Sequence, residues 1–555
     1  MRSERALLIT LTIAGIAFRI PLIFGGGIWA DEAMALNVAA IPTFTAMIDF
    51  LRHHESHPPL FYLVLRGWRA LAGAGDSATF GLILFFSALL VPSVFAVTRS
   101  FSSRRAATIA ASLVAISPAV AEHASQVRPY GMLHLLVLFS SYWLVGSIEK
   151  GGWKQWFAFV ISAALTLYMH NWGWIVFGAH GVAAALVIWK LKTAHRRQKA
   201  LEFGFAVTAV LILYSPWLSA LIFQGANAGH SGLHLETLGD KLGFLLFAFI
   251  SIPDYLLLGL YPPDQFPQIL LAGVVAAAVL LATSRGSEKQ GIRVQRNALS
   301  DNRNTIVLRF LITTVAVAVT TAVIASPWKT LFIQRCVAIL SPLVMICLGV
   351  VIDRMLMNEQ KRQTRAIAKA IVAFLLTLQI VGILRLVPTT RSNALEVALA
   401  VQRSMTAGDL LVVSPEWFAA SFNHYFPSSI EQRDHPAGIR SNLIDFTSPS
   451  RRAVDTAATR RLAEAISAAS ESGRRVWFVT ERRYLRYVED VLPTLTSEAE
   501  RARYASVSRV AESRHILLTA YGTPDTSHFV HGAVPRYEEL LPYLFVPRGP
   551  GKRTF

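Results

Sequence analysis

The sequence predicts a polytopic α-helical membrane protein that carries a small C-terminal α/β domain. Of its 555 residues, 53% are hydrophobic and only 16% are charged, and the mean hydropathy is +0.44. A soluble protein of this size carries a larger share of charged residues. Apolar stretches of about twenty residues, the length that crosses a bilayer, recur up to about residue 390. Beyond that position, short apolar strands alternate with helical segments.

The formal net charge of +18 indicates contact with a membrane surface. Most Lys and Arg residues lie in short loops between apolar spans or in the C-terminal third of the chain. This distribution fits the positive-inside rule and anionic lipid headgroups better than it fits a DNA-binding stripe. Membrane lipids are therefore expected partners, and no nucleic acid is expected.

Eleven membrane spans are predicted. They lie near 6–24, 78–98, 106–121, 130–148, 154–170, 173–190, 201–222, 266–284, 308–326, 330–351 and 366–388. With a cytoplasmic N-terminus, this number places five basic loops in the cytoplasm. These loops are 99–105, 150–154, 190–199, 285–309 and 354–369. If the apolar segment 239–261 were a twelfth span, the basic loop 285–309 would lie outside the cytoplasm. A helix at the outer interface is therefore predicted for this segment.

The first span is expected to remain in the protein, because residues 18–24 offer a poor cleavage site for a signal peptide. The two cysteines, Cys336 and Cys347, fall within one apolar span. About 16 Å of helix separates them. That distance excludes a disulfide between the two residues.

The same topology places four segments on the extracytoplasmic side: 25–77, 121–129, 223–265 and everything after about 389. In the first, residues 33–51 and 59–71 are predicted to form two short amphipathic helices along the outer membrane surface. We therefore expect a transmembrane domain over 1–390, which includes the loop 25–77, and an extracytoplasmic α/β domain over 391–555.

The C-terminal domain shows the pattern of a small α/β fold. Strands are predicted at 409–415, 475–480 and 515–521, and an Ala-, Arg- and Glu-rich helix is predicted over 452–472. No Gly-rich phosphate loop follows the first strand. A nucleotide-binding role for this domain is therefore not expected.

The adjacent carboxylates Asp31 and Glu32 directly follow the first span. Carboxylates at a bilayer edge are costly to desolvate, so they lie in a wet cavity or take part in chemistry. On a helix their side chains diverge by about 100°, which prevents them from sharing a proton. One can act as a general base while the other positions a helix or a partner. A helix cap at Asp31 is the alternative interpretation.

A second polar cluster precedes Pro58-Pro59, where His53, His54, Glu55 and His57 lie within five residues. Their spacing matches no zinc signature, so no metal site is predicted. His57 is a candidate to contact a phosphate. A solvated loop is the alternative.

Three further groups of polar residues lie at predicted extracytoplasmic turns. Each has a purely structural alternative: an Arg128–Glu122 ion pair, an aromatic belt at the membrane interface, and a snorkelling anchor at Arg335. The groups are Glu122 with Arg128 and Tyr130, His170 with Asn171, and Lys329 with Arg335.

Together these clusters suit a reaction in which a hydroxyl is deprotonated and a phosphate departs. A carboxylate would act as the general base. Arg and His would stabilise the charge that develops on the phosphate. A lipid phosphate needs little protonation to leave, so one carboxylate suffices.

These motifs resemble those of the GT-C fold glycosyltransferases. The group that they resemble most is the superfamily of protein O-mannosyltransferases and lipid A aminoarabinose transferases, including bacterial envelope members. The resemblance covers about residues 1–390. It rests on Asp31-Glu32, on Pro58-Pro59-Leu60 after a basic residue, on Arg128-x-Tyr130, and on Arg335 ahead of Leu340-Ser341-Pro342-Leu343.

The resemblance implies a polyprenyl-phosphate sugar donor and a single displacement with inversion. Asp31 matches the position of the family's catalytic acidic residue, and Glu32 is its neighbour. His57 stands where many relatives have a Lys before Pro-Pro. The family's Arg-x-Tyr motif is matched by Arg128 and Tyr130.

The match at Arg335 is partial, because Cys336-Val337 follow it where relatives usually have Tyr-Leu. The resemblance gives His57, Arg128, Tyr130 and Arg335 a role in binding the donor phosphate. Lys329 is predicted to join them, and Glu122, His170 and Asn171 are candidates to bind substrate. The C-terminal domain resembles extracytoplasmic domains that some members carry.

The expected protein is a glycosyltransferase of the bacterial inner membrane, with its N-terminus in the cytoplasm and its C-terminal domain in the periplasm. Its acceptor would be a hydroxyl of a glycan, lipid A or a protein. No cofactor is predicted firmly, and a divalent metal ion stays open.

Two other functional classes stay open. A polytopic lipid or sugar transporter would carry polar residues at the bilayer midplane and internal repeats, and the sequence shows neither. A non-enzymatic envelope-assembly subunit would not need the acidic and basic clusters.

Overall fold

The computed structural model describes residues 2–227, 237–258, 295–328, 331–357, 362–427, 429–437, 440, 442–443, 456–494, 505–529 and 535–547. The chain divides into two compact units. The first combines Met1–Ile23, His57–Ser219 and His230–Pro388. The second combines Phe24–Ser56, Ala220–Gly229 and Thr389–Phe555. The loop after the first helix therefore belongs to the same unit as the C-terminal segment.

Helices account for most of the described chain. In chain order they are α1 (Arg2–Phe24), α2 (Ala30–Ala39), α3 (Phe44–His53), α4 (Leu60–Ala72), α5 (Asp76–Phe101), α6 (Arg104–Ile116), α7 (Pro118–Ala124), α8 (Tyr130–Lys150), α9 (Trp153–Met169), α10 (Gly173–Trp189), α11 (Thr193–Asn227), α12 (Leu238–Pro253), α13 (Gln295–Ala325), α14 (Gln334–Val337), α15 (Ser341–Leu356), α16 (Arg362–Leu386), α17 (Ala394–Ser404), α18 (Ala419–Tyr425), α19 (Thr456–Glu471), α20 (Arg482–Asp490) and α21 (Ala505–Tyr521). A short π-helical segment, Asp254–Leu258, follows α12.

The described helices include seven that are long and apolar enough to cross a membrane, or eight if the bent pair α6 and α7 is one span. Described helices lie at every predicted span except 266–284, which is outside the described residues. The predicted total of eleven therefore stays a prediction. The helix α12 lies in the segment 239–261, and its position at the membrane interface also stays a prediction.

The third predicted span is broken at Ser117-Pro118, where α6 and α7 meet at 56°. Pro118 has no N–H to continue the hydrogen bonds of α6. The buried guanidinium of Arg19 donates to the carbonyl oxygens of Val114 at 3.0 Å and Ala115 at 2.8 Å. These carbonyl groups end α6, and a cation is favourable at a helix C-terminus. Arg19 thus stabilises the break.

Glycines allow two close backbone approaches in the first unit. A Cβ atom on Gly349 of α15 would lie 2.6 Å from the carbonyl oxygen of Ala106 in α6. A Cβ atom on Gly173 would lie 2.6 Å from the carbonyl oxygen of Thr166. Small residues let membrane helices pack this closely. Gly173 therefore keeps the turn between α9 and α10 tight, and this turn carries His170.

The prediction of one helix over 33–51 is wrong, because two helices, α2 and α3, occupy this region. The interruption falls at Ile41-Pro42, where proline disfavours a helical conformation of the residue before it. Thr43 then caps α3 by accepting from the backbone N–H of Ala46 at 3.2 Å. The second predicted helix, over 59–71, is confirmed as α4.

The second unit contains a four-stranded sheet of order β2-β1-β3-β4. Its strands are β1 (Leu410–Val413), β2 (Gln432–Asp434), β3 (Val476–Glu481) and β4 (Leu540–Phe545). The first strand pairs in parallel with β2 and β3, and β4 pairs antiparallel with β3. One face of the sheet packs against α17 and α18, and the other packs against α19, α20 and α21. The predicted α/β domain is confirmed.

The strand predicted at 515–521 is wrong, because these residues end the helix α21. Val507, Val510, Leu517 and Tyr521 are buried at helical spacing on that helix. The strands predicted at 409–415 and 475–480 are confirmed as β1 and β3, and the helix predicted over 452–472 is confirmed as α19. The sequence analysis did not predict β2 and β4.

Candidate functional site

A cluster of cationic and imidazole side chains forms in the first unit. Arg128 is 5% exposed, and its Nη2 atom lies 3.3 Å from Nε2 of His57. A guanidinium can only donate, so Nε2 of His57 is the acceptor and the imidazole proton lies on Nδ1. His57 is therefore neutral in this arrangement. The sequence predicted both residues, and the fold brings them together from positions that are 71 residues apart.

The ring of His170 packs against the rings of His57 and Tyr130. Its centroid lies 4.9 Å from that of His57 in an edge-on contact and 5.9 Å from that of Tyr130. The backbone N–H of Trp172 donates to Nδ1 of His170 at 3.0 Å, so the proton of this ring lies on Nε2. Both His170 and Tyr130 are buried. They form the buried side of the cluster.

Arg335 belongs to the same cluster. Its positive charge is close enough to interact electrostatically with the imidazole of His170, as does the charge of Arg128. Nε1 of Trp172 donates to the carbonyl oxygen of Leu331 at 3.1 Å, which joins the turn of His170 to the segment that leads into Arg335. The other predicted cation of this segment, Lys329, lies outside the described residues.

The other predicted substrate-binding residues are Glu122 in α7 and Asn171 in the turn after α9. Glu122 is 4% exposed and accepts from Nε2 of Gln126 at 3.5 Å. Asn171 directly follows His170 and is half-buried. His123 was not predicted from the sequence, and its ring centroid lies 5.9 Å from that of Tyr130.

This arrangement is suited to hold an anion. A buried guanidinium forms charge-assisted hydrogen bonds with phosphate oxygens, and it keeps its charge when it is buried. The neighbouring imidazole and phenol groups add hydrogen-bonding capacity without adding charge. In the part of the chain that the structure describes, no group of three or more His, Cys, Asp and Glu residues is arranged to hold a metal ion.

The two predicted catalytic carboxylates lie in the second unit and differ in burial. Asp31 is half-buried, whereas Glu32 is fully buried. Trp29 is the N-cap of α2, and its backbone N–H donates to Oε2 of Glu32 at 3.3 Å. The capping role that was the alternative for Asp31 therefore falls to Glu32.

Arg391 neutralises Glu32. Its Nε atom lies 3.1 Å from Oε2 of Glu32, and the two side chains are 1% and 0% exposed. A buried carboxylate is stable only with such a partner. Arg391 was not predicted from the sequence, because 359 residues separate it from Glu32. No local pattern marks a contact of that length.

Glu538 is a second residue that the sequence analysis missed. Its Oε2 atom accepts from the backbone N–H of Ala30 at 3.1 Å, and its Oε1 atom accepts a short hydrogen bond from Oγ of Ser421. Burial raises the pKa of the Glu538 carboxyl group to about 8, and the nearby charge of Glu481 acts in the same direction. The first turn of α2 thus contacts two buried side chains of the C-terminal segment.

Comparisons with known proteins identify the fold. A family model described as dolichyl-phosphate-mannose-protein mannosyltransferase matches residues 56–219. No curated protein matches the chain in sequence. Two solved structures illustrate the likeness in three dimensions.

The first is ArnT from Cupriavidus metallidurans bound to undecaprenyl phosphate. It has a TM-score of 0.53 and 12% sequence identity, and the match covers 88% of this chain and 95% of that one. The second is the archaeal oligosaccharyltransferase AglB from Archaeoglobus fulgidus in complex with an inhibitory peptide and a dolichol-phosphate. It has a TM-score of 0.53 and 12% identity, with coverage of 87% of this chain and 70% of that one.

At this level of identity the likeness establishes the fold, which is the GT-C fold of membrane glycosyltransferases. The predicted fold class, a multi-pass helical membrane protein with a small α/β domain, is confirmed. The resemblance that the motifs indicated is confirmed at the same level. The roles of individual residues stay predictions.

Proposed function

We propose that the protein is a membrane glycosyltransferase that moves a single sugar from a polyprenyl-phosphate donor to an acceptor hydroxyl, with inversion. The observation that carries the proposal is the cluster of the buried Arg128 and His170 with the half-buried His57 within a GT-C fold. Such a cluster suits the phosphate of a lipid-linked donor. Structures of the same fold contain undecaprenyl phosphate in ArnT and dolichol-phosphate in AglB.

The cluster would act on the leaving phosphate. As the bond between the sugar and the phosphate breaks, negative charge grows on the phosphate oxygens. Arg128 and Arg335 would stabilise that charge, and Lys329 would assist them. His57 and Tyr130 would orient the phosphate through hydrogen bonds. A lipid phosphate leaves as an anion without an added proton, so the reaction needs no general acid.

Asp31 would be the general base. It would take the proton of the acceptor hydroxyl while the hydroxyl oxygen attacks the anomeric carbon from the side opposite the phosphate. The new bond between carbon and oxygen forms as the bond to the phosphate breaks, and the configuration inverts. Glu32, which is paired with Arg391, would act with Asp31 by holding the helix that both residues share.

Several parts of the proposal concern substrates and location. The reaction would take place on the extracytoplasmic side of the bacterial inner membrane. The acceptor would be a glycan, lipid A or a protein. Glu122, His170 and Asn171 would contribute to substrate binding.

The test is to incubate the purified protein with polyprenyl-phosphate hexoses and pentoses and to measure release of the lipid phosphate. We expect release by the wild-type protein from at least one donor. We expect Asp31→Asn to abolish release while its yield and melting temperature stay close to those of the wild-type protein. Release by Asp31→Asn at the wild-type rate would remove the base assignment. A transporter or an assembly subunit would release no lipid phosphate from any donor.

A further inference from the structure

The start of α2 is held by the C-terminal segment of the second unit. We propose that this C-terminal domain controls catalysis by positioning Asp31, with Arg391 and Glu538 as the main positioning residues. The proposal rests on the proposed function, because it assigns Asp31 its role as the base.

The backbone ahead of α2 is fixed first. The carbonyl oxygen of Gly26 accepts from the backbone N–H groups of Arg391 at 2.5 Å and Ser392 at 3.3 Å. Gly27 has φ +68°, and a Cβ atom there would lie 2.6 Å from the carbonyl oxygen of Ser392. Only glycine fits this conformation and this approach. The two chain segments are therefore in direct backbone contact at residues 26–27.

The next two residues are fixed by side chains. The backbone N–H of Ile28 donates to Oη of Tyr425 at 3.0 Å. The ring of Trp29 stacks on the ring of Tyr537, with centroids 4.6 Å apart and planes 20° apart. Stacked aromatic pairs of this kind are stabilised beyond the area that they bury. The N-cap of α2 is thus held by an aromatic contact.

Asp31 lies between two residues that are each fixed by a buried charged or ionisable group. Ala30 donates to Glu538 through its backbone N–H, and Glu32 pairs with Arg391. Ala30 also belongs to the apolar core that packs on the sheet. A residue flanked on both sides by fixed neighbours has little freedom to change its backbone position.

Position matters for a general base. A displacement of about 1 Å in a reacting group can lower a rate by about 100-fold. Loosening the start of α2 should therefore lower kcat. It should leave donor binding intact, because the proposed phosphate-binding residues belong to the other unit. A purely structural role of these contacts would instead lower the amount of folded protein and leave kcat per folded molecule unchanged.

The first test compares two arginines that each pair with a buried carboxylate in the second unit. Arg391→Ala removes the partner of Glu32. Arg475→Ala is the matched control, because Arg475 Nη2 lies 2.6 Å from Oδ2 of Asp409, and its other hydrogen bonds go to Ser404 and Thr406 rather than to the loop 24–56. We expect Arg391→Ala to lower kcat at least 10-fold with an unchanged KM for the donor. Arg475→Ala should keep the wild-type kcat per folded molecule.

A second pair of variants avoids a buried unpaired charge, in case Arg391→Ala does not fold. Tyr537→Ala removes the ring that stacks on Trp29, and Tyr537→Phe keeps a ring there. We expect kcat to fall about 3- to 10-fold in Tyr537→Ala and to stay at the wild-type value in Tyr537→Phe.

Arg391→Lys, which keeps the positive charge, should recover part of the kcat that Arg391→Ala loses.

Asp31→Asn separates the two proposals. If Asp31→Asn is inactive while Arg391→Ala and Tyr537→Ala both keep the wild-type kcat, the positioning proposal is overturned and the proposed function stands. If Asp31→Asn turns over like the wild-type protein, the base assignment fails and the positioning proposal fails with it. A fall in kcat at constant donor KM in both Arg391→Ala and Tyr537→Ala supports the positioning of Asp31.

Discussion

The cationic cluster of the first unit and the acidic helix α2 of the second unit handle buried charge differently. In the cluster, the group that Nη2 of Arg128 contacts at 3.3 Å is a neutral imidazole, that of His57. In the acidic helix, Arg391 cancels the charge of Glu32. Its neighbour Asp31 remains half-buried. The first arrangement suits the binding of an anion, and the second fixes the carboxylate of Glu32 beside Asp31, the proposed base.

We first predict that substitutions of the two adjacent carboxylates have different effects, one on stability and the other on activity. Glu32→Ala removes the carboxylate that pairs with the buried guanidinium of Arg391, and we expect it to lower the free energy of unfolding by about 3–5 kcal/mol. Asp31→Ala should change the free energy of unfolding by less than about 1 kcal/mol, because its side chain is half-buried, but it should abolish release of the lipid phosphate. Denaturant unfolding in detergent and the release assay measure the two effects.

An equal loss of stability in the two variants would contradict this division of roles. Glu32→Gln is the control, since it keeps a hydrogen-bond acceptor near the N–H of Trp29 but removes the charge. We expect its stability to lie between that of the wild-type protein and that of Glu32→Ala.

The second prediction concerns the cluster. Arg128→Ala should lower kcat/KM for the donor by about 100- to 1,000-fold, because it removes a donor group from the charge that develops on the phosphate. Arg128→Lys should recover only part of the loss, since a lysine cannot reproduce the planar fork of the guanidinium.

Arg99→Ala serves as the control for Arg128. Arg99 is half-exposed and pairs with Glu4 in the same unit, with Nε 3.5 Å from Oε1. We expect its kcat/KM to equal the wild-type value. Wild-type kcat/KM in Arg128→Ala would remove this residue from the donor site.

The third prediction uses the pKa of Glu538, which burial raises to about 8. The folded protein then holds a proton that the unfolded chain has lost above about pH 4.5, so stability is greatest below that pH and falls as the pH rises to about 8. Glu481 faces Glu538 and reinforces the shift, whereas hydrogen bonds from Ser421, Ser392 and the N–H of Ala30 oppose it. We expect the free energy of unfolding to fall by about 2 kcal/mol between pH 6.5 and pH 8.

The control for this prediction is a pair of neighbouring glutamates. Glu538→Gln cannot ionise, so the fall in stability over this pH range should disappear. Glu539→Gln should keep this fall in stability, because Glu539 pairs with Arg482 rather than with the start of α2. The same fall in Glu538→Gln would show that another group titrates.

The features that the sequence predicted are those that depend on local patterns. Apolar length located the spans, and the doublet Asp31-Glu32 located the start of α2. His57 and Arg128 were predicted to bind the donor phosphate and His170 to bind substrate, because all three lie in loops on the same predicted side of the membrane. Loops on the same side of the membrane lie at one surface, so the predicted topology limited which polar residues could form one site.

The features that the sequence did not predict depend on distant contacts. The pairing of Arg391 with Glu32 requires the complete tertiary fold. In the sheet, β2 has three residues, and β4 contains Pro542, which is unfavourable except in an edge strand. The run Ile516-Leu517-Leu518 suits either a strand or a helix when it is read alone. The burial of Val507 and Val510, further upstream on α21, distinguishes the helix from a strand.

The smallest predicted effect distinguishes the two ends of α2. Nδ2 of Asn37 donates to the carbonyl oxygen of Asn442 at 2.8 Å, so the C-terminal end of α2 also contacts the C-terminal segment. This hydrogen bond is exposed, and Asn37→Ala should cost about 0.5–1.5 kcal/mol of stability. Because Asn37 lies six residues beyond Asp31, about 9 Å along the helix, we expect kcat to stay at the wild-type value. If Asn37→Ala lowers kcat as much as Arg391→Ala does, then α2 responds as one rigid body, and the specific role of its first turn is lost.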